Sequence, residues 1–154
     1  MQFEFENELQ LGISLSKQCG KLISQVFNSK KSVSLKTSAT DLVTETDKLV
    51  EKKIFDGIEA VYPGHVRIGE ESTADNLKSV ILTDEPTWVV DPIDGTTNFV
   101  HSFPLCCVAM GFMVNKKVQF GIVYNPISDA LYSALKMLVR LPQNVQVSEP
   151  DQHF

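Results

Sequence analysis

Three short segments concentrate carboxylates where secondary structure begins or ends. Asp91-Pro92-Ile93-Asp94-Gly95-Thr96-Thr97-Asn98 follows the apolar run Trp88-Val89-Val90. Gly69-Glu70-Glu71-Ser72 follows Val66-Arg67-Ile68. Asp41-Leu42-Val43-Thr44-Glu45-Thr46-Asp47 stands at a helix entrance. An ionised Asp at the end of an apolar strand is costly to bury without a partner. Pro92 stops the ladder and fixes the turn, so Asp91 and Asp94 are aimed at one point. Two carboxylates held that close repel, and a divalent cation removes the repulsion. Oxygen-only ligation is what Mg²⁺ takes, with water filling the remaining positions. Glu70 joins the cluster if the two strands are neighbours in one sheet. Gly95 lets the backbone approach a ligand closely, and free N–H groups of a helical first turn after it can hold a phosphate. Metal-binding carboxylates beside a phosphate cradle suit metal-assisted phosphoryl transfer to water. Any one of these acids is explained as well by a turn or a helix cap; their joint occurrence at element ends argues for chemistry.

These segments need a scaffold. Leu9, Ile13, Ile23 and Phe27 keep helical spacing over about Glu4 to Asn28, with Gly12, Ser16 and Gly20 on a stripe that permits close packing. Asn28 to Thr40 is polar and Lys-rich, a loop or short hairpin. A second helix begins near Thr46, capped by the hydroxyls and carboxylates of Thr44 to Asp47, with Val50, Ile54, Ile58 and Val61 as its apolar stripe and Pro63-Gly64 as its end. Short strands at Val66–Ile68 and Trp88–Val90 precede a longer one from Leu105 to Val114. Val118–Tyr124 and Ala130–Ser133 complete a meander turning at Asn115-Lys116-Lys117 and Asn125-Pro126. Two helices followed by strands predict an α+β layered fold with a largely antiparallel sheet. Residues 1–134 carry these patterns. Residues 135–154 lack a period or turn signal and read as a divergent tail.

The 154 residues carry 14 Lys and Arg against 19 Asp and Glu, a net charge of −5, which argues against nucleic-acid binding through a general basic surface. No apolar run approaches the length of a membrane span, and the acidic start Met1-Gln2-Phe3-Glu4 is unlike a signal peptide. Cys19, Cys106 and Cys107 are odd in number and two are adjacent, which fits a reducing, cytoplasmic compartment better than a disulfide framework. Cys106, Cys107 and Trp88 read as core residues, and His65 and His101 have no metal-ligand spacing. Lys36 is a candidate anion contact.

At the acidic segments the sequence resembles the inositol monophosphatase family. Asp91-Pro92-Ile93-Asp94-Gly95-Thr96-Thr97-Asn98-Phe99 matches its first signature and Gly69-Glu70-Glu71-Ser72 its other N-terminal metal motif. Asp41-Leu42-Val43-Thr44 with Asp47 looks like the segment before the family's second helix. The resemblance covers about Leu9 to Ser133. It implies a layered αβαβα-type sugar-phosphatase fold, a homodimer, and Mg²⁺-dependent, lithium-sensitive hydrolysis of inositol monophosphates by metal-activated water, with two or three Mg²⁺ per site. The implied roles give Glu70, Asp91 and the Ile93 carbonyl to a first metal and Asp91 and Asp94 to a second. Glu70 holds a third through water. Asp47 and Thr96, with Glu70 nearby, position or activate the attacking water; Glu70, Ile93, Asp94, Gly95 and Thr96 make the substrate and phosphate site, with Gly95 and Thr96 receiving the phosphate through their backbone.

Two departures bear on these expectations. After Ser133 the family's glycines are absent, although Val147-Ser148 looks like a return to its pattern, and the second signature, Trp-Asp-x-x-Ala-Gly, is missing. Its Asp completes the second metal site in the family. The chain is therefore expected to be the N-terminal portion of a longer catalytic domain, with a weakened second metal and a bare apolar sheet face. Two alternatives stay open: a truncated form that binds metal weakly or pairs with a full-length subunit, and a phosphatase for another small phosphomonoester.

Overall fold

The helical spacing around Leu9 and Ile23 becomes α1, Glu6–Val26, in a computed structural model that describes residues 4–30, 33–35, 42–76 and 81–136. Lys36, Asp41 and residues 137–154 lie outside the described residues. The Lys-rich stretch contributes a small antiparallel pair, β1 (Val33–Leu35) with β2 (Leu42–Thr44). The second helix, α2, spans Glu45–Val61. The remaining order is β3 (Val66–Gly69), α3 (Glu70–Asn76), β4 (Thr87–Asp94), α4 (Thr96–Val100), β5 (Cys107–Val114), β6 (Lys117–Asn125) and β7 (Ala130–Leu135).

Strands β3 to β7 form one sheet in sequence order. The pair β3–β4 is parallel and the three that follow are antiparallel, so the sheet is largely antiparallel. The β5–β6 hairpin turns on Asn115 and Lys116, both at positive φ, as a type I′ turn requires.

One face of the sheet carries the core. Trp88, Val90, Val108, Met110, Phe112, Phe120 and Ile122 alternate inward and are nearly sealed from solvent. They meet Leu9, Leu15, Cys19 and Ile23 of α1 and Val50, Ile54 and Ile58 of α2. Val61, placed on the same stripe by spacing, ends α2 and is exposed instead. The small-residue stripe of α1 is the contact line. A Cβ on Gly12 would lie 2.6 Å from Ile122 Cδ1, a Cβ on Gly20 2.9 Å from Pro126 Cβ, and Ser16 Oγ donates to Met110 Sδ at 3.2 Å. The opposite face has no helix against it among the described residues. Val89, Val118, Val123 and Tyr132 are 36%, 59%, 41% and 68% exposed there.

Candidate active site at the ends of β3 and β4

Pro92 does not end its strand. β4 runs through Asp91-Pro92-Ile93-Asp94, and the interruption expected of proline appears as a shift in register. Asp91 faces Ala109 and Asp94 faces Cys107, so three residue steps on β4 oppose two on β5. In a regular strand, residues three apart point to opposite faces. The extra residue of a bulge removes that inversion, and both aspartates come to the sheet's outer face. Proline lacks the N–H a ladder needs, and a bulge is one of the few places inside a sheet that accepts it. A depression of about 600 Å³ on this face is lined by Val89, Asp91, Gly111, Met113, Val123 and Tyr132. A second, of about 380 Å³, takes in Asp94, Gly95, Asn98, Cys107, Val123 and Tyr132. Val123 and Tyr132 border both.

Asp47 sits at the third position of α2 and is fully buried. It closes a reciprocal cap: the Thr44 N–H donates to its Oδ2 at 2.9 Å, the Thr44 hydroxyl also donates to Oδ2, and the Asp47 N–H reaches back to Thr44 Oγ1. Its other oxygen, Oδ1, accepts from the Thr96 hydroxyl at 3.1 Å. The same hydroxyl lies 3.0 Å from the Ile93 carbonyl, so its single proton has two acceptors. Burial raises the Asp47 carboxyl above the ordinary carboxylate range, and the bonds from Thr44 and Thr96 oppose that rise.

Gly95 makes the sharp exit from β4 into α4 at φ 84°, where a side chain would be strained and its Cβ would stand 2.8 Å from the Leu105 carbonyl oxygen. Asn98 Nδ2 donates to that same carbonyl at 2.7 Å and pins the loop to α4. Cys107 Sγ donates to Asp94 Oδ2 at 3.6 Å. Burial first, and the adjacent Asp94 second, push the Cys107 thiol up to about 12.

Glu70 begins α3 directly after Gly69, the last paired residue of β3, which lies opposite Val90 of β4. One residue further on each strand stand Glu70 and Asp91, on adjacent parallel strands. The structure thus brings Asp47, Ile93 and Thr96 into direct contact and places Glu70, Asp91 and Asp94 at neighbouring strand ends. Sequence reasoning missed α3 and the residue that holds it. Glu51 of α2 is 5% exposed, and its carboxylate accepts the N–H of Glu71 at 2.8 Å and of Ser72 at 2.9 Å. Its only sequence signal is its place one helical turn after Asp47, on the buried side of an amphipathic helix.

The fold is a known one. The family model of the inositol monophosphatase family matches residues 5–150, and the chain belongs to that family. Human inositol monophosphatase 1 is 48% identical over 128 residues, which are 83% of this chain and 46% of the human protein. A Thermotoga maritima IMPase superposes with a TM-score of 0.76 at 29% identity, over 84% of this chain and 48% of that one. An IMPase/NADP phosphatase does so with a TM-score of 0.72 at 27% identity, over 86% and 49%. The chain therefore spans about half the length of the relatives it matches.

Proposed function

We propose that these residues carry out Mg²⁺-dependent hydrolysis of inositol monophosphates to inositol and phosphate. The observation that carries the reading is the β4 bulge between Asp91 and Asp94, followed two residues later by Thr96, whose hydroxyl donates to the buried Asp47. The donor set fits Mg²⁺. It is oxygen throughout, namely the carboxylates of Glu70, Asp91 and Asp94 and the carbonyl of Ile93, which also accepts from Thr96. Among the described residues no three acidic, histidine or cysteine side chains close on one point. None need do so, because Mg²⁺ is held by one or two carboxylates and keeps several waters. The IMPase/NADP phosphatase named above is complexed with Mg²⁺ and phosphate in its crystal structure, and a staphylococcal inositol monophosphatase-1 forms an inhibitory complex after soaking in LiCl. Both support Mg²⁺ as cofactor and Li⁺ as inhibitor here.

When bound, Mg²⁺ acidifies water and offsets charge on the phosphoryl oxygens. The remaining work falls to the chain's own groups. Thr96 Oγ1 accepts a proton from the attacking water as it passes its own to Asp47 Oδ1. The raised carboxyl pKa of Asp47 makes it a better proton acceptor than an exposed aspartate. Backbone N–H groups of Gly95 and Thr96 receive the phosphate, and Gly95 admits it because no Cβ intervenes. Water attacks phosphorus directly, with no covalent enzyme intermediate. In the same reading the chain is cytoplasmic, with none of its three cysteines in a disulfide, and it assembles as a homodimer. Among the described residues no helix is long and apolar enough to cross a membrane.

The test is phosphate release from inositol 1-phosphate at millimolar Mg²⁺, beside a panel of sugar, histidinol and nucleotide monophosphates. Release lost in Asp91→Asn and blocked by Li⁺ supports the reading, and preference for another monoester replaces the substrate. No release from any of them refutes activity of this chain. A second reading is favoured by the exposed apolar sheet face: the chain binds metal weakly and pairs with a longer family member. Co-expression with such a member and pull-down tests it, and recovery of no mixed species removes it.

A further inference from the structure

Glu51 belongs to none of the roles above, yet its surroundings are unusual for a glutamate. Carboxylates are almost never fully buried unless paired. Here the partners are two main-chain N–H groups, of Glu71 and Ser72, one for each carboxylate oxygen. The approach is possible only because β3 ends in glycine. A Cβ on Gly69 would stand 2.8 Å from Glu51 Oε1 and closer still to the rest of the carboxylate. Glu70 is thereby bracketed. The residue before it packs against Glu51, and the N–H groups of the two residues after it are bonded to Glu51. Asp47, one turn earlier on α2, is bonded to Thr96 after β4. Residues four apart share a helix face, so one face of α2 reaches both sides of the site.

We propose that Glu51 is a positioning residue. It orients Glu70 toward Asp91 by clamping the β3–α3 junction, and so sets the strength of Mg²⁺ binding. The inference rests on the metal reading given above. Outer partners that orient a ligand typically change metal affinity 10- to 100-fold when replaced.

The experiment uses the whole ¹⁵N-labelled chain and Mg²⁺ alone as probe. Amide shifts of Glu70–Thr73 and Asp91–Thr96 give the Mg²⁺ affinity, and amide exchange at Glu71 and Ser72 reports the clamp without metal. Glu51→Gln keeps the size but offers one acceptor where two N–H groups need two. It should accelerate exchange at one or both amides and weaken Mg²⁺ about 10- to 100-fold. Glu51→Asp should fall between it and wild type. Glu59→Gln is the control: Glu59 lies about two turns beyond Glu51 on the same helix, pairs with Arg67 of β3 rather than with the β3–α3 junction, and should leave the Mg²⁺ affinity unchanged. A purely structural role would lower the melting temperature in both Gln variants without separating their affinities well below it. Equal Mg²⁺ affinity in wild type and Glu51→Gln overturns the proposal. If wild type shows no Mg²⁺-dependent shifts, the metal reading itself fails. Exchange then decides: faster exchange in Glu51→Gln supports the clamp, and unchanged exchange overturns it.

Discussion

Gly69→Ala puts a methyl group where the Glu51 carboxylate lies. Contacts under 3 Å to all three carboxyl heavy atoms cannot be absorbed, so the head group must leave. It is no loose end of a flexible chain, because both its oxygens hold main-chain N–H groups. A hydrogen bond to a charged group is worth roughly 1.5–3 kcal/mol. Ser72 is half-buried, so water recovers part of the two bonds and the loss falls toward the lower end, about 3 kcal/mol. At roughly 2–4 °C per kcal/mol for a chain of this size, melting should fall by about 6–12 °C. Gly64→Ala is the matched control. Nothing lies within 4 Å of its Cβ position and its φ is not positive, so alanine should be neutral or slightly stabilising. Urea unfolding followed by the fluorescence of Trp88, the single tryptophan, reads both variants. A Gly69→Ala midpoint equal to wild type, or a Gly64→Ala effect as large, would refute the packing argument.

Three further perturbations test the parts that position the site. Gly20→Ala gains about 1 kcal/mol of helix propensity but drives a methyl into Pro126 and the Tyr124 ring. Rigid overpacking of roughly 1–3 kcal/mol should win, whereas Gly12→Ala meets the tip of Ile122 and, at 3.2 Å, the edge of the Trp88 ring and should cost less in the same unfolding assay. Trp88 Nε1 donates to His65 Nδ1 at 3.1 Å, and burial holds the His65 pKa below its ordinary 6.5 against the opposing pull of Glu8. The unfolded state then binds more protons between the lowered pKa and about 6.5. This contribution is complete above about pH 6.5 and is lost as pH falls toward the folded pKa. The stability gap between wild type and His65→Phe should narrow on acidification, and a gap independent of pH would contradict the linkage. Thr44→Ala removes the α2 cap for about 1–2 kcal/mol and deletes a bond that lowers the Asp47 pKa. The Asp47 carboxyl, followed by ¹³C shift, should titrate at higher pH than in wild type; an unchanged midpoint would count against the bond.

Much of the scaffold was legible because it repeats. The helical period of Leu9 and Ile23, the turn after Val114 and the apolar runs of β4 to β6 each follow from local chemistry, and the glycine stripe of α1 announced close packing. What escaped depends on residues distant in the chain. The seven residues of α3 carry no apolar period, and their first turn is held by Glu51 from another helix, so Gly69-Glu70-Glu71-Ser72 shows its acids but not the helix they begin. Proline signals a strand end, and only the register against β5 shows that the bulge takes it in. Glu51 on a helix looks solvated, because burial of its carboxylate depends on where β3 ends. The acids at element ends drew notice, but that Asp91 and Asp94 share a face follows from one inserted residue.

The central claim is that the β4 bulge makes Asp91 and Asp94 a cation site. Mg²⁺ titration of the ¹⁵N-labelled chain, observed at Asp91–Thr96, tests it with Asp91→Asn as comparison. Saturable shifts in wild type, weakened at least about tenfold in the variant as expected when a carboxylate ligand is removed, are the predicted result. Equal affinity in the two chains would contradict the account.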